Sequence, residues 1–332
     1  MTEKKFGNLY QFQDLITLSD NVTDDRYGYS PFERPLDKLL DYGIILIDKP
    51  SGPTSHEVAS WVKRMFNIQK TGHSGTLDPA ATGLLPMGLG EGTKALSVLL
   101  LGPKEYYSIA RIHSDLQKER IESVLKEFHD DIYQRPPQRS SVKRMTRIRK
   151  IYELEFVESG DRIILLRILC QAGTYIRKLI YDIGEVLGSG ATMVELRRTR
   201  VSNFFEKDGL IKLHDLNSAY LSYKEKKDEE NLRIMISPIE VCLTEIPCVV
   251  IRDTAVDALC HGAQLAIPGI SQISKKLDTG ELVGVYTLKG EIVGLAESLM
   301  SVRQIAVSKN GIAFKMKRII MKPNTYPKGW NS

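Results

Sequence analysis

The chain has 332 residues, 42% of them apolar and 26% charged, with 46 Lys and Arg against 41 Asp and Glu for a formal charge of +5. Such a length suits about two domains of ~150 residues and needs no staples to fold. No apolar run approaches the roughly 20 residues of a membrane helix, and MTEKKFGNLYQFQDL lacks the pattern of a signal peptide.

Residues 1–42 read as a polar, irregular N-terminal extension with a turn-like GYSPFERP. GIILID (43–48) is a short apolar run that predicts a buried strand closed by Lys49-Pro50. HEVASWVKRMF places Val58, Trp61, Val62 and Met65 at helical spacing, with Thr54 or Ser55 available as a cap. GHSGTLDPAATGLLP (72–86) is rich in glycine and reads as a loop. KALSVLLLG is a short helix or strand, and EYYSIARIH alternates like a strand. LQKERIESVLKEF is an amphipathic helix, and KIYELEFVE with DRIILLRILCQAG forms a predicted hairpin around Ser159-Gly160. TYIRKLIYDIGEVLG is a helix ending in glycine. The charged stretch near 222–232, YKEKKDEENLR, reads as a solvated helix or loop. After Pro247 closely spaced short strands and glycines suggest a small β-barrel over 246–323.

The four cysteines, Cys170, Cys242, Cys248 and Cys260, lack the paired spacing of a zinc site and read as reduced thiols of a cytoplasmic protein. GLGEGTK has neither the spacing nor the Lys-Ser/Thr ending of a phosphate loop. His73, Ser74 and Asp78 are too close in sequence to converge as a hydrolytic triad. Positive charge is uneven: RPPQRSSVKRMTRIRK (135–150) has seven basic side chains and no acid, and Arg197, Arg198 and Arg200 cluster in ELRRTRV. Two clusters without counter-charges point to a phosphate-binding track, and Arg135, Arg139, Lys143, Arg144, Arg147, Arg197 and Arg198 are its candidate contacts. Asp78, followed by Pro79, is a lone carboxylate among small and apolar residues. The proline restricts its backbone, and a poorly solvated carboxylate needs a cation to stay ionised. Arg177 in GTYIR is the partner the chain offers.

Together and in this order, GHSGTLDPAATGLLP, KEYY, GTYIRKLIYDIGEVLG and ELRRTRV resemble the motifs of the tRNA pseudouridine synthase B and dyskerin family. The likeness runs from ERPLDKLLDYGIILIDKPSGPTSHEV through YQRPPQRSSVKR to a PUA-like segment, CHGAQLAIPGI to TYPKGW. The resemblance implies an α+β fold. A catalytic domain (43–240) would be built on a mixed, mostly antiparallel sheet, with a PUA domain (246–323) on which the N-terminal extension packs. It implies isomerisation of uridine to pseudouridine in RNA, without metal or other cofactor.

By position in the motifs, Asp78 is the essential acid, acting as nucleophile at the sugar or as base. Arg177 is its counter-charge and Tyr106 the proton acceptor from C5, with Tyr107 facing the other way. Tyr175 and Leu196 line the base pocket, Lys49 supports the loop or touches phosphate, and His73 holds an extruded nucleotide. The N-terminal extension and CHGAQLAIPGI resemble the archaeal and eukaryotic branch, which works as the catalytic subunit of box H/ACA guide ribonucleoproteins. Its implied partners are guide RNA, rRNA and tRNA, a zinc-ribbon-type subunit, a small β-barrel subunit and a kink-turn-binding ribosomal-type protein. Ala80-Ala81 instead follow the bacterial form, so a stand-alone synthase acting on the tRNA T-arm is the second reading. A non-catalytic RNA-binding scaffold is the third.

Overall fold

The computed structural model describes residues 14–136 and 145–328. Among the described residues, ten strands form one sheet, with the path Ser237–Pro238, Gly43–Lys49, Thr82–Leu89, Ala191–Val201, Lys104–Ile112, Ile163–Cys170, Arg147–Gly160 and Asp130–Gln134. Thr71–His73 and Phe204–Phe205 pair beside it, on Thr82–Leu89 and Ala191–Val201. Every pairing is antiparallel except one, where Thr82 and Gly83 run parallel to Arg197 and Arg198. This short parallel seam joins the two halves of the sheet, and Gly83 makes it possible. Its φ is +98°, and a Cβ there would lie 2.3 Å from the Arg198 carbonyl oxygen.

The expected helix after the first strand spans Ser55–Phe66, started by a full capping box between Thr54 and Glu57. Its buried face is Ser55, Val58, Ala59, Val62 and Phe66. Trp61, expected in the core, is 39% exposed because it lies off that stripe. TGLLP is no loop. Thr82–Leu89 is a central strand buried along nearly its whole length, and the glycine-rich turn is confined to residues 74–81. Two-sided burial replaces the alternation that would have revealed a strand. KALSVLLLG contains the helix Leu96–Leu101, and EYYSIARIH the strand Lys104–Ile112. The predicted hairpin turns at Asp161 and Arg162, both with positive φ (47° and 63°), directly after the expected Ser159-Gly160 pair. The GTYIR helix, Ile176–Leu187, ends on Gly188 in the left-handed conformation and packs its apolar face under the sheet with Lys118–Glu127.

A second sheet follows the path Leu15–Thr17, Ile270–Ser274, Cys248–Ile251, Leu282–Thr287, Ile292–Ser298, Ile312–Ile319 and Leu265–Ala266. It curls around a core of Val249, Val285, Val293 and Phe314 as a half-barrel. Its edge strand Leu15–Thr17 comes from the N-terminal segment, which Lys289 also holds through the carbonyls of Asp24 and Tyr27. Between the two sheets, buried Arg34 forks onto Glu240 at 2.6 and 2.8 Å, and Glu240 in turn accepts the Ile292 amide. Tyr326 donates to Glu291 beside them, so one polar cluster ties four segments together. No helix among the described residues is long and apolar enough to cross a membrane, and all four cysteines are free and buried.

Candidate active site

Asp78 sits on the turn 74–81, beside the parallel seam, and every end of that turn is held by a buried polar group. Lys49, fully buried, donates to the carbonyls of Pro50, Pro79 and Ala81 at 2.8–3.0 Å. Ser55 accepts the Leu77 amide at 2.9 Å and returns its hydroxyl to the Leu77 carbonyl. Arg198 donates from Nε to Leu84 and from Nη2 to Gly75, at 2.8 and 3.1 Å. Ala81 N–H closes the turn onto the Asp78 carbonyl. These bonds clamp the turn onto the sheet below it.

Arg177 donates from Nη2 to Asp78 Oδ2 at 2.6 Å, across 99 residues of sequence. It is the second residue of its helix, where the positive end of the dipole disfavours a cation and where no acid stands in the first turn. The contact is a single hydrogen bond rather than a fork. The pair also stands open: the Asp78 side chain is 49% accessible and that of Arg177 63%. The dry, apolar setting expected for Asp78 is therefore absent from the RNA-free protein, since Pro79 and Ala80 project outward with it.

Tyr106 and Leu196 meet on neighbouring strands. Tyr106 is in register with Arg198, and Leu196 with Ser108, so all four side chains share one face of the sheet. Tyr106 and Leu196 are half-buried against the apolar cluster that contains Ile176 and Leu179. Burial pushes the Tyr106 hydroxyl up, while the positive charge of Arg198 opposes it, and Asp78 is close enough to add to the rise. Half-buried Tyr175 is the N-cap of the Arg177 helix, and buried Gln134 clasps its backbone, accepting N–H at 2.9 Å and donating to C=O at 3.2 Å. His73 packs edge-on against exposed His56 at 4.9 Å. Its Nδ1 is buried without a partner among the described residues, and burial first, then His56 and Arg198, hold its pKa down at about 4.

Three expectations change. Lys49 is enclosed and bonded to carbonyls, so it supports the loop and does not reach phosphate or base. Arg197 leaves the phosphate track because Asp48, at 3.0 Å, and Glu206 already neutralise it. Arg198 leaves it because only 1% of its surface is exposed. Strand alternation sends these adjacent arginines to opposite faces, which the charge count of ELRRTRV could not reveal. Arg135 is exposed just after the edge strand Asp130–Gln134 and Arg147 is half-buried at the start of the strand beside it, whereas Arg139, Lys143 and Arg144 lie outside the described residues. Arg135 lines a groove of about 460 Å³ between Lys118–Glu127 and Ile176–Leu187, which does not include Asp78. Sequence reasoning missed the clamping roles of Ser55, which it read only as a possible helix cap, and of Gln134. YQRPP and PTSHE contain them, but their partners lie 22 and 41 residues away.

Known proteins share this layout. Residues 63–118 match the TruB family pseudouridylate synthase N-terminal domain, residues 177–244 the tRNA pseudouridylate synthase B C-terminal domain, and residues 247–320 the PUA domain. Residues 3–59 match the DKCLD domain, and residues 102–198 the Pus10 C-terminal region. A probable tRNA pseudouridine synthase B of Methanopyrus kandleri is 49% identical over 96% of this chain and 94% of its own. One from Methanocaldococcus jannaschii is 47% identical over 99% and 96%. Among solved structures, a Cbf5-Nop10-Gar1 complex superposes with a TM-score of 0.88 at 42% identity, over 95% of this chain and 96% of that one. An H/ACA RNP bound to a substrate RNA containing 2′-deoxyuridine does so at 0.88 and 40%, over 96% and 98%. The chain belongs to the TruB family of pseudouridine synthases, RNA uridine isomerases, and carries a PUA domain.

Proposed function

We propose that this synthase is the catalytic subunit of an archaeal box H/ACA-type guide ribonucleoprotein, and that Asp78 is its essential carboxylate. The observation that carries the second statement is the Asp78–Arg177 contact on a turn clamped by Lys49, Ser55 and Arg198. Isomerisation breaks C1′–N1, joins C1′ to C5, removes the C5 proton and protonates N1, so it needs no oxidant or reductant. Asp78 acts at the sugar, as nucleophile or as base, while Arg177 orients its carboxylate. Tyr106 accepts the C5 proton against the flipped base, with Tyr175 and Leu196 walling the pocket and His73 beside the extruded nucleotide. The open ion pair suits this order of events: the everted nucleotide itself excludes the water that now reaches Asp78.

The guide reading is supported by the near full-length likeness to the Cbf5 chains solved with Nop10 and Gar1 and with substrate RNA. It brings those two proteins, a kink-turn-binding protein and guide RNA as partners, with rRNA and tRNA as substrates. Residues 1–42 serve as an extension docked on the PUA domain 246–323, which holds guide RNA, and 43–240 as the catalytic domain. The chain acts in the cytoplasm, where buried thiols stay reduced. The second reading, a stand-alone enzyme for the tRNA T-arm, is favoured by the names of the curated relatives. Incubating the chain with a T-arm transcript and with an rRNA target, each with and without guide RNA and small subunits, separates the two. Conversion of rRNA only in the full assembly supports the first, and its failure there removes it. Asp78→Asn tests the carboxylate: turnover disappears while RNA binding persists, and an active variant would end the assignment.

A further inference from the structure

We propose that Arg198 is a positioning residue for the isomerisation, a buried guanidinium that ties the Asp78 turn to the Tyr106 hydroxyl and holds the sugar side and the base side of the site in one frame. Its setting differs from that of the neighbouring Arg197, which faces two carboxylates. Among the described residues, Arg198 bonds to the carbonyls of Leu84 and Gly75, which flank the Asp78 turn, and stands in register with Tyr106 across the strands, on the same face and near enough for its charge to act on the phenol. A fully enclosed cation without a carboxylate partner is expensive to bury, and an apolar side chain of similar volume would fill the same space at lower cost. The fold nevertheless keeps it at the seam where Gly83 lets the two strands touch.

The consequence concerns both halves of the reaction. Nε and Nη2 set where the Asp78 turn stands, and the guanidinium they fix is the cation that lies beside Tyr106 on the same face of the sheet. The positive charge also opposes the effect of burial on that hydroxyl, which favours its taking part in proton transfer. Lys49, the other enclosed cation beneath the turn, bonds only to carbonyls and does not reach the phenol.

This inference rests on the reading of Tyr106 as the base-side residue, and a double-mutant cycle separates the two. Single-turnover conversion of a tritiated-uridine RNA is measured for wild type, Arg198→Lys, Tyr106→Phe and the double variant, with RNA affinity and melting temperature alongside. Lys keeps the charge and loses the fork. In the wild-type background Arg198→Lys lowers the rate about 30-fold with affinity changed less than about twofold, but in the Tyr106→Phe background it costs less than about threefold. The same cost in both backgrounds, or none in either, overturns the proposal while leaving Tyr106 its role. A fully active Tyr106→Phe overturns both. Should Arg198→Lys fail to fold, nitrogen-15 arginine spectra of wild type and Tyr106→Phe give the answer: the Arg198 side-chain resonances move when the phenol oxygen is removed, and unmoved resonances overturn the link.

Discussion

Two arginine–carboxylate pairs mark the two working regions of the molecule, and they differ in every respect except chemistry. Arg34 and Glu240, between the sheets, are 4% and 0% exposed, doubly bonded, and backed by the Ile292 amide. Arg177 and Asp78 share one hydrogen bond at an open surface. Breaking a buried pair strands a charge away from water and is costly, whereas exposed pairs are screened and contribute little. The first pair holds the domains together. The second is inexpensive to break, so on the proposed mechanism its two members can exchange partners when a nucleotide arrives.

The sharpest way to break the contrast is Asp78→Asn, which should lower single-turnover conversion by at least about 10³-fold and leave the melting temperature unchanged. Arg177→Lys keeps the charge and loses the planar donor geometry. Turnover should fall about 10²-fold with the melting curve again unmoved, as calorimetry beside the tritium-release assay would show. At the other pair the pattern should invert. Glu240→Gln leaves Arg34 only the more distant Glu291, at 3.9 Å, and should cost about 3 kcal/mol in denaturant unfolding, while the folded fraction retains its turnover rate. Replacing Arg135 and Arg147 together by Ala should flatten the salt dependence of RNA affinity by about two in log–log slope, and an unchanged slope removes them from the interface.

The smallest effect concerns His73, whose pKa burial holds near 4 instead of the usual 6.5. A depressed histidine contributes stability that is full above pH 6.5 and is lost as pH falls toward about 4, because the unfolded chain takes up the proton first. Denaturant titrations across that window should show a shallower decline for His73→Gln than for wild type.

The elements with one exposed face were legible in advance. Ser55–Phe66, Lys118–Glu127 and Ile176–Leu187 carry apolar stripes and recognisable ends, and the strand Lys104–Ile112 follows from alternation. Thr82–Leu89 was hidden because burial on both faces erases periodicity and its glycines imitate a turn. The Asp78–Arg177 contact could be anticipated because both residues lie in motifs of a recognisable family. What escaped was the substructure beneath it. Lys49, Arg197 and Arg198 look like a basic track in one dimension, and only the fold shows carbonyls, Asp48, Glu206 and a phenol already waiting for them. Gln134 and Ser55 were invisible for a related reason. A neutral side chain that bonds to backbone leaves no charge pattern, so the reach across sequence that makes it useful also conceals it.

The strand Leu15–Thr17 completes its sheet only by lying against Ile270–Ser274. During synthesis on the ribosome this early segment must therefore wait, unpaired, until residues made some 250 positions later emerge. Closing so long a loop is slow in itself, so the last contacts to form are those that seat the beginning of the chain on its end. A nascent chain stalled before residue 270 would leave that strand's hydrogen-bonding edge without a companion, open to pairing with another molecule.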